Sequence, residues 1–201
     1  MKTPTIGLLT LLFLVSFSCR QSTTPDPTTV AATKGEYLQA VIEIPAGTNH
    51  KIEYNYASKQ FLNDQLEGKD RVINFLPYPG NYGFIPSTLM DKERGGDGDA
   101  LDVLVLSESV PTGTIMEVIP IGALMLRDRQ EIDTKIIAIP ADPQQQVIKA
   151  EDFMTFALRY DAARRIIEDW FQNYKGAEGV EIVRWEDEQY AIQEVEKWKK
   201  E

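Results

Sequence analysis

The sequence has a single cysteine in 201 residues, Cys19, so no disulfide within the chain can brace it. It also lacks basic charge: 21 lysines and arginines stand against 31 aspartates and glutamates, a formal net charge of -10. No basic stripe is available to displace counterions from a phosphate backbone, which argues against nucleic acid as a partner. A small anionic substrate stays open, because a local pocket of Lys, Arg and metal can hold phosphate inside an acidic chain. There is no internal repeat, and no glycine-rich strand-to-helix element of the nucleotide-binding kind. The apolar stretch from Ile6 to Phe17, broken by Gly7, Thr10 and Ser16, is too short for a stable membrane helix, which needs about 20 residues.

That stretch suits the apolar region of a signal peptide, with Met1-Lys2 as a weakly positive start. Ser18-Cys19 follows at once and resembles a bacterial lipobox, with Ser16 where Leu or Val is usual; Cys19 would then be the lipidated N-terminus. The other reading is an ordinary secretory signal with an incidental cysteine. Residues 1–18 are expected to be the signal peptide, and residues 19–36 the lipidated cysteine with a flexible tether rich in Thr and Pro. Residues 37–201 are expected to form one domain, large enough to bury a core. The implied location is that of an exported, membrane-anchored bacterial lipoprotein on the periplasmic side of a membrane.

Periodicity predicts a mainly β domain. Tyr37–Ile44, Lys51–Tyr56, Arg71–Leu76, Asp102–Leu106, Ile115–Leu126, Thr134–Ile139 and Val180–Trp185 read as strands. Pro77 to Gly83 is too dense in Pro, Gly and Asn to be anything but ordered loop. An apolar stripe at spacings of three and four from Phe153 to Tyr174 predicts one helix, and Glu186–Lys200 a second. Many short strands followed by two helices suggest a small, partly closed β-barrel with helices packed outside it.

What stands out chemically is Gly96-Asp97-Gly98-Asp99-Ala100-Leu101-Asp102, three carboxylates leading into Val103-Leu104-Val105-Leu106. Like charges at the mouth of a strand are tolerated either in a solvated turn or around a hard divalent cation such as Mg²⁺ or Mn²⁺. The calcium-loop pattern fails, because Leu101 takes its fifth position and Asp102 its glycine position. Asp128 and Asp133 bracket a turn ahead of Lys135, and Glu43 interrupts an apolar strand. Lys51 and Glu53, two apart on a strand, share a sheet face. Lys51, Arg71, Lys135 and Lys175 are cations suited to phosphate oxygens, or else solvated surface charge. Tyr78 and Tyr82 frame the Pro-Gly-Asn loop and could donate phenolic hydrogen bonds into a polar pocket, or pack that loop.

These motifs, in this order, closely resemble the soluble inorganic pyrophosphatases of the first family. The likeness is carried by Asp97-Gly98-Asp99-Ala100-Leu101-Asp102, Val41-Ile42-Glu43-Ile44-Pro45 with Lys51-Ile52-Glu53-Tyr54, Phe75 to Phe84, Asp128 through Lys135, and Asn173-Tyr174-Lys175. The resemblance implies a five-stranded closed barrel of the OB type with two C-terminal helices, and metal-dependent hydrolysis of pyrophosphate. It implies Asp97, Asp102 and Asp133 as ligands of the tightest metal, with Glu43, Glu53 and Asp128 helping to hold further Mg²⁺. It implies Asp99 as the general base, Lys51, Arg71, Tyr78, Lys135, Tyr174 and Lys175 on the two phosphoryl groups, and Tyr82 supporting the carboxylates. Mn²⁺ is a possible substitute, and a homo-oligomer, most often a hexamer, is implied. Arg129 and Val180 depart from the family pattern. The rival readings are a non-catalytic metal- or phosphate-binding lipoprotein and a hydrolase of organic polyphosphates.

Overall fold

The computed structural model describes residues 26–129, 131–176 and 179–200. The strands before the first helix are β1 (Thr33–Lys34), β2 (Tyr37–Ile44), β3 (Ile52–Asn55), β4 (Gln60–Asn63), β5 (Gln65–Leu66), β6 (Lys69–Asp70), β7 (Asn81–Phe84), β8 (Asp102–Val105), β9 (Ile115–Asp128) and β10 (Glu131–Pro140). Helices α1 (Phe153–Arg159) and α2 (Asp161–Asn173) come next, then β11 (Glu181–Glu186) and helix α3 (Glu188–Trp198).

Seven strands form one mixed sheet in the order β1-β2-β7-β8-β10-β9-β11, and β3–β4 and β5–β6 are separate hairpins. β8 and β10 run parallel, with Asp102 beside Lys135. β2 pairs with β7 and additionally with β9, Leu38 opposite Val118, so the sheet curls strongly. Gly83 permits the β2–β7 approach, because a Cβ there would run into the carbonyl of Val41. β1 and β11 each have a single partner and remain edges.

The expectation of five strands closed as an OB-type barrel with two C-terminal helices is therefore corrected in its number of strands and of helices. Two further strands join the sheet. Gly35, at a φ of 62°, turns the chain so that β1 folds back on β2, and β11 docks on the far side of the 14-residue β9. The described helices number three, because the single stripe from Phe153 to Tyr174 breaks at Tyr160. That residue leaves the helical region, with φ -123° and ψ 28°, and its phenol accepts the backbone N–H of Lys149 at 3.2 Å.

Strand alternation puts the two larger of three apolar clusters on opposite faces of β8 and β10, the third being Val41, Tyr54 and Phe84. Val103 and Val105 of β8, with Ile136 and Ala138 of β10, join the cluster covered by Ala191, Val195 and Trp198 of α3. Leu104, Ile137 and Ile139 join the cluster covered by Phe156 of α1 and by Ile167, Trp170 and Phe171 of α2.

Four more expectations change. Pro77 to Gly83 is loop only as far as Gly80, because Asn81–Gly83 belong to β7, which pairs with both β2 and β8. Arg71–Leu76 is no strand: a lone bridge from His50 to Val72 is its only ladder contact among the described residues, and Val72, Phe75 and Leu76 are exposed. The part of the supposed tether that is described, from Asp26 onward, packs on the domain. Ala32 is buried, and Asp26 accepts hydrogen bonds from Lys59 at 2.7 Å and from the Tyr54 phenol at 3.1 Å. Membrane anchoring finds no counterpart: among the described residues no helix is long and apolar enough to cross a membrane. The signal segment and Cys19 lie outside the described residues.

Candidate active site

The acidic loop before β8 is held by its own backbone. Gly98 N–H donates to Met90 O at 2.7 Å, Met90 N–H donates to Asp99 O at 2.7 Å, and the Asp97 carboxylate accepts the N–H of Asp99 at 2.9 Å. Gly98 has a φ of 94°, which a side chain would strain. Asp102 opens β8, and the parallel register sets it beside Lys135. Asp133 lies two residues before Lys135 on β10, hence on the same face. Lys135 is 4% exposed and pairs with both carboxylates, reaching Asp133 Oδ1 at 2.6 Å. Asp128, at the end of β9, pairs with Lys175 just beyond α2. On β2, Glu43 accepts the backbone N–H of Tyr54 at 2.7 Å.

Lys51 and Arg71 come together through a ring of backbone bonds. Lys51 N–H donates to Arg71 O at 3.0 Å, Arg71 N–H to Asp64 O at 2.7 Å, and Asp64 N–H to Lys51 O at 2.7 Å. The Asp64 carboxylate then pairs with Arg71 at 3.1 Å and with Lys51 at 3.8 Å, while Lys51 also pairs with Glu53. Asp64 was not foreseen, since Asn63-Asp64-Gln65 reads as a turn. Trp170 was foreseen only as part of an apolar stripe. It stacks on Tyr174 at 4.8 Å, meets Tyr78 at 4.6 Å and donates its indole N–H to Leu76 O at 2.8 Å, so it seats two phenols.

All fourteen foreseen side chains of the domain line a single cleft of about 430 Å³: Glu43, Lys51, Glu53, Arg71, Tyr78, Tyr82, Asp97, Asp99, Asp102, Asp128, Asp133, Lys135, Tyr174 and Lys175. Glu131 and Tyr56 line it as well and were not singled out by the sequence. Arg129, at a φ of 58° in the β9–β10 turn, does not line it, and Val180 is buried in the core. A larger hollow of about 970 Å³ lies at Ser107–Pro111 and residues 141–147, but no Lys or Arg lines it, so it has nothing to hold phosphate.

Electrostatics inside the cleft favour protonated phenols. Burial raises the Tyr78 and Tyr82 hydroxyls well above the ordinary value and pushes Tyr174 up to about 12, so all three remain donors. The Lys135 ammonium is held charged by Asp102 and Asp133, against the cost of its burial. Burial raises Asp99, and the neighbouring charges of Asp97 and Asp102 add to the rise. Among the described residues no three acidic or imidazole groups stand close enough to form a ready coordination set, and Lys135 pairs with both Asp102 and Asp133. The donor chemistry nevertheless fits a hard divalent cation, because the clustered carboxylates supply only oxygen.

Glu43 gives a pH test. Burial pushes its carboxyl up to about 8, reinforced by Asp102 and Glu53 and opposed by the Tyr54 N–H and Lys51. Between the ordinary value and about 8, the metal-free folded chain binds more protons there than the unfolded chain, so stability falls as pH rises through this window. Each tenfold change in proton affinity is worth about 1.4 kcal/mol, which makes the loss a few kcal/mol. Melting in EDTA from pH 5 to 8.5 should show a steeper decline for the parent chain than for Glu43→Gln. Parallel profiles would remove Glu43 from the account.

The family model described as "Inorganic pyrophosphatase" matches residues 40–201. An inorganic pyrophosphatase of Aquifex pyrophilus is 38% identical over 169 residues, covering 81% of this chain and 87% of the relative. The crystal structure of an inorganic pyrophosphatase from Neisseria gonorrhoeae superposes with a TM-score of 0.69 at 31% identity, covering 86% of this chain and 95% of that one. A structure of the Trypanosoma brucei brucei enzyme, at a TM-score of 0.73 and 22% identity, shares the fold; the match covers 85% of this chain and 54% of that longer one.

Proposed function

We propose a mechanism from the premise that this chain belongs to the inorganic pyrophosphatase family, and so hydrolyses pyrophosphate to two phosphates. What supports the mechanism is the convergence in one cleft of aspartates, protonated phenols and the cations Lys51, Arg71, Lys135 and Lys175. Lys51 and Arg71, fixed by their shared backbone ring, grip one phosphoryl group, with Tyr78, Tyr174 and Lys175 on its neighbour. The attacking water bonds to one phosphorus, the bridging P–O bond breaks, and the leaving phosphate takes the electron pair. Asp99 receives the water's proton, a task that suits a cleft carboxylate whose proton affinity is raised by burial and by the charges of Asp97 and Asp102.

Enzymes of this family use Mg²⁺. Asp97, Asp102 and Asp133 would hold the tightest ion, and Glu43, Glu53 and Asp128 further ones, with Mn²⁺ as a substitute. Bound there, the metal supplies charge neutralisation and Lewis acidity at the attacking water. Lys135 and Tyr82 steady the carboxylates, the ammonium lying 5.7 Å from the Tyr82 ring centre. Phosphate release from pyrophosphate, compared with release from a nucleoside triphosphate under Mg²⁺ and under Mn²⁺, tests the assignment. Fast release from pyrophosphate alone is expected; a preference for the nucleotide, or metal binding without turnover, would overturn it.

The family resemblance and the exposed Met154, Leu158 and Ile166 support a homo-oligomer, with a hexamer favoured, which sedimentation velocity measures. The composition of residues 1–18 supports an export signal. The N-terminal mass of the mature protein decides this, since a chain still starting at Met1 would refute it.

A further inference from the structure

We infer that Thr88 is a positioning residue for the metal centre, an inference that rests on reading the acidic loop as a Mg²⁺ site. Thr88 is 1% exposed, and its hydroxyl has two duties. It donates to Ile85 O at 2.6 Å and accepts the backbone N–H of Leu101 at 2.9 Å. Leu101 is the residue before Asp102, and its carbonyl accepts the N–H of Ile85 at 2.8 Å. Leu101 is thus pinned on both sides to the segment that carries Thr88. Elsewhere the loop is tied by backbone bonds to Met90 and Asp91. Among the described residues, Thr88 is the one side chain outside the loop with a recorded hydrogen bond to the backbone of residues 97–101.

Thr88 is itself anchored. Leu89 N–H donates to Trp198 O at 2.8 Å, Lys200 N–H donates to Ser87 O at 2.9 Å, and Thr88 bridges Lys199. The Thr88 hydroxyl therefore stands on the strap that follows α3 and fixes where β8 begins. Asp97, Asp99 and Asp102 repel one another in the metal-free chain, so the loop has a reason to spread. A fixed point at Leu101 resists that spreading and keeps the carboxylates close to the spacing a cation needs. None of the groups that touch substrate is involved.

The test pairs Thr88→Val, which keeps the shape and loses the hydroxyl, with Thr88→Ser, which keeps the hydroxyl. Mg²⁺ alone is titrated into the full chain by calorimetry, and pyrophosphate turnover is measured against Mg²⁺ concentration. Supporting groups around a metal site typically change affinity by about 10–100-fold, and a weakening of about tenfold is expected for Thr88→Val. Turnover at saturating Mg²⁺ should stay near the parent, because bound cation regathers the loop, and Thr88→Ser should restore the affinity. A structural role alone would lower the melting temperature without moving the Mg²⁺ midpoint. If Thr88→Val does not fold, Thr88→Ala against Thr88→Ser makes the same comparison. An unchanged midpoint without the hydroxyl overturns the inference, as does a loss confined to turnover at saturating metal. Asp102→Asn separates the two levels: if it leaves the Mg²⁺ midpoint unmoved, the metal reading itself fails. If Asp102→Asn moves the midpoint and Thr88→Val does not, only the role of Thr88 fails.

Discussion

Asp102→Asn should abolish most pyrophosphate turnover while leaving the chain folded. Asp102 is the first residue of β8, partly exposed at the cleft, so the substitution disturbs neither of the two larger apolar clusters. The amide keeps an acceptor oxygen toward Lys135, and Asp133 keeps that ammonium paired. What disappears is one unit of negative charge and one anionic oxygen where cation and reacting phosphate meet. Losing a single preorganised electrostatic partner commonly costs about 10²–10³ in turnover. A loss near the upper end is expected, because Asp102 serves both the metal and the orientation of Lys135. Circular dichroism and melting in EDTA should stay close to the parent, or show slightly greater stability, since like-charge repulsion across the loop is relieved. Near-parental turnover at saturating Mg²⁺ would sink the assignment of this residue.

How far the sequence could be read depended on whether the deciding contact was local. Tyr37–Ile44 and Asp102–Val105 were legible because an apolar run between turn residues has few other uses. Arg71–Leu76 has the same local look, yet no neighbouring strand runs beside it and Val72 and Leu76 face solvent. Its function is to carry Arg71 into the ring with Lys51 and Asp64, which no periodicity announces. The break at Tyr160 was hidden because the apolar stripe continues across it from α1 to α2. The sheet's edges were hidden as well, since β1 and β11 are placed by long-range pairing to β2 and β9. Within the site, the residue types of the acidic loop were plain. Their company was not: Lys135 meets Asp102 only through a parallel register between strands some thirty positions apart. Trp170 shows the reverse case, a residue whose pattern said core and whose neighbours, Tyr78 and Tyr174, make it a support for the cleft.

Lys135→Met should be the most destabilising single change in the cleft, and the damage should depend on metal. The Lys135 ammonium is 4% exposed and lies between two carboxylates, one of which, Asp133, is 17% exposed at its side chain. Methionine fills much of the same volume, so packing is largely kept. The two carboxylates, however, lose their only close cation among the described ion pairs. Breaking a buried ion pair by removing one partner costs about 3–5 kcal/mol, because the charge left behind is neither solvated nor paired. For a domain of this size that is a drop of roughly 10 °C in melting temperature. Two conditions should narrow the gap to the parent chain. Burial already raises the proton affinity of Asp133, so lowering the pH neutralises that stranded charge and the variant's deficit shrinks as the pH falls and grows as it rises. Mg²⁺ offers a replacement positive charge, and a ligand at a hundred times its dissociation constant adds about 2.7 kcal/mol. The variant should therefore regain more stability from Mg²⁺ than the parent does, yet remain inactive, since no ammonium is left to steady Asp102 and Asp133 around that cation. An equal deficit in EDTA and in Mg²⁺ would trace the loss to packing alone, and would deny that charge balance between Lys135 and its two aspartates is what keeps this site folded without its metal.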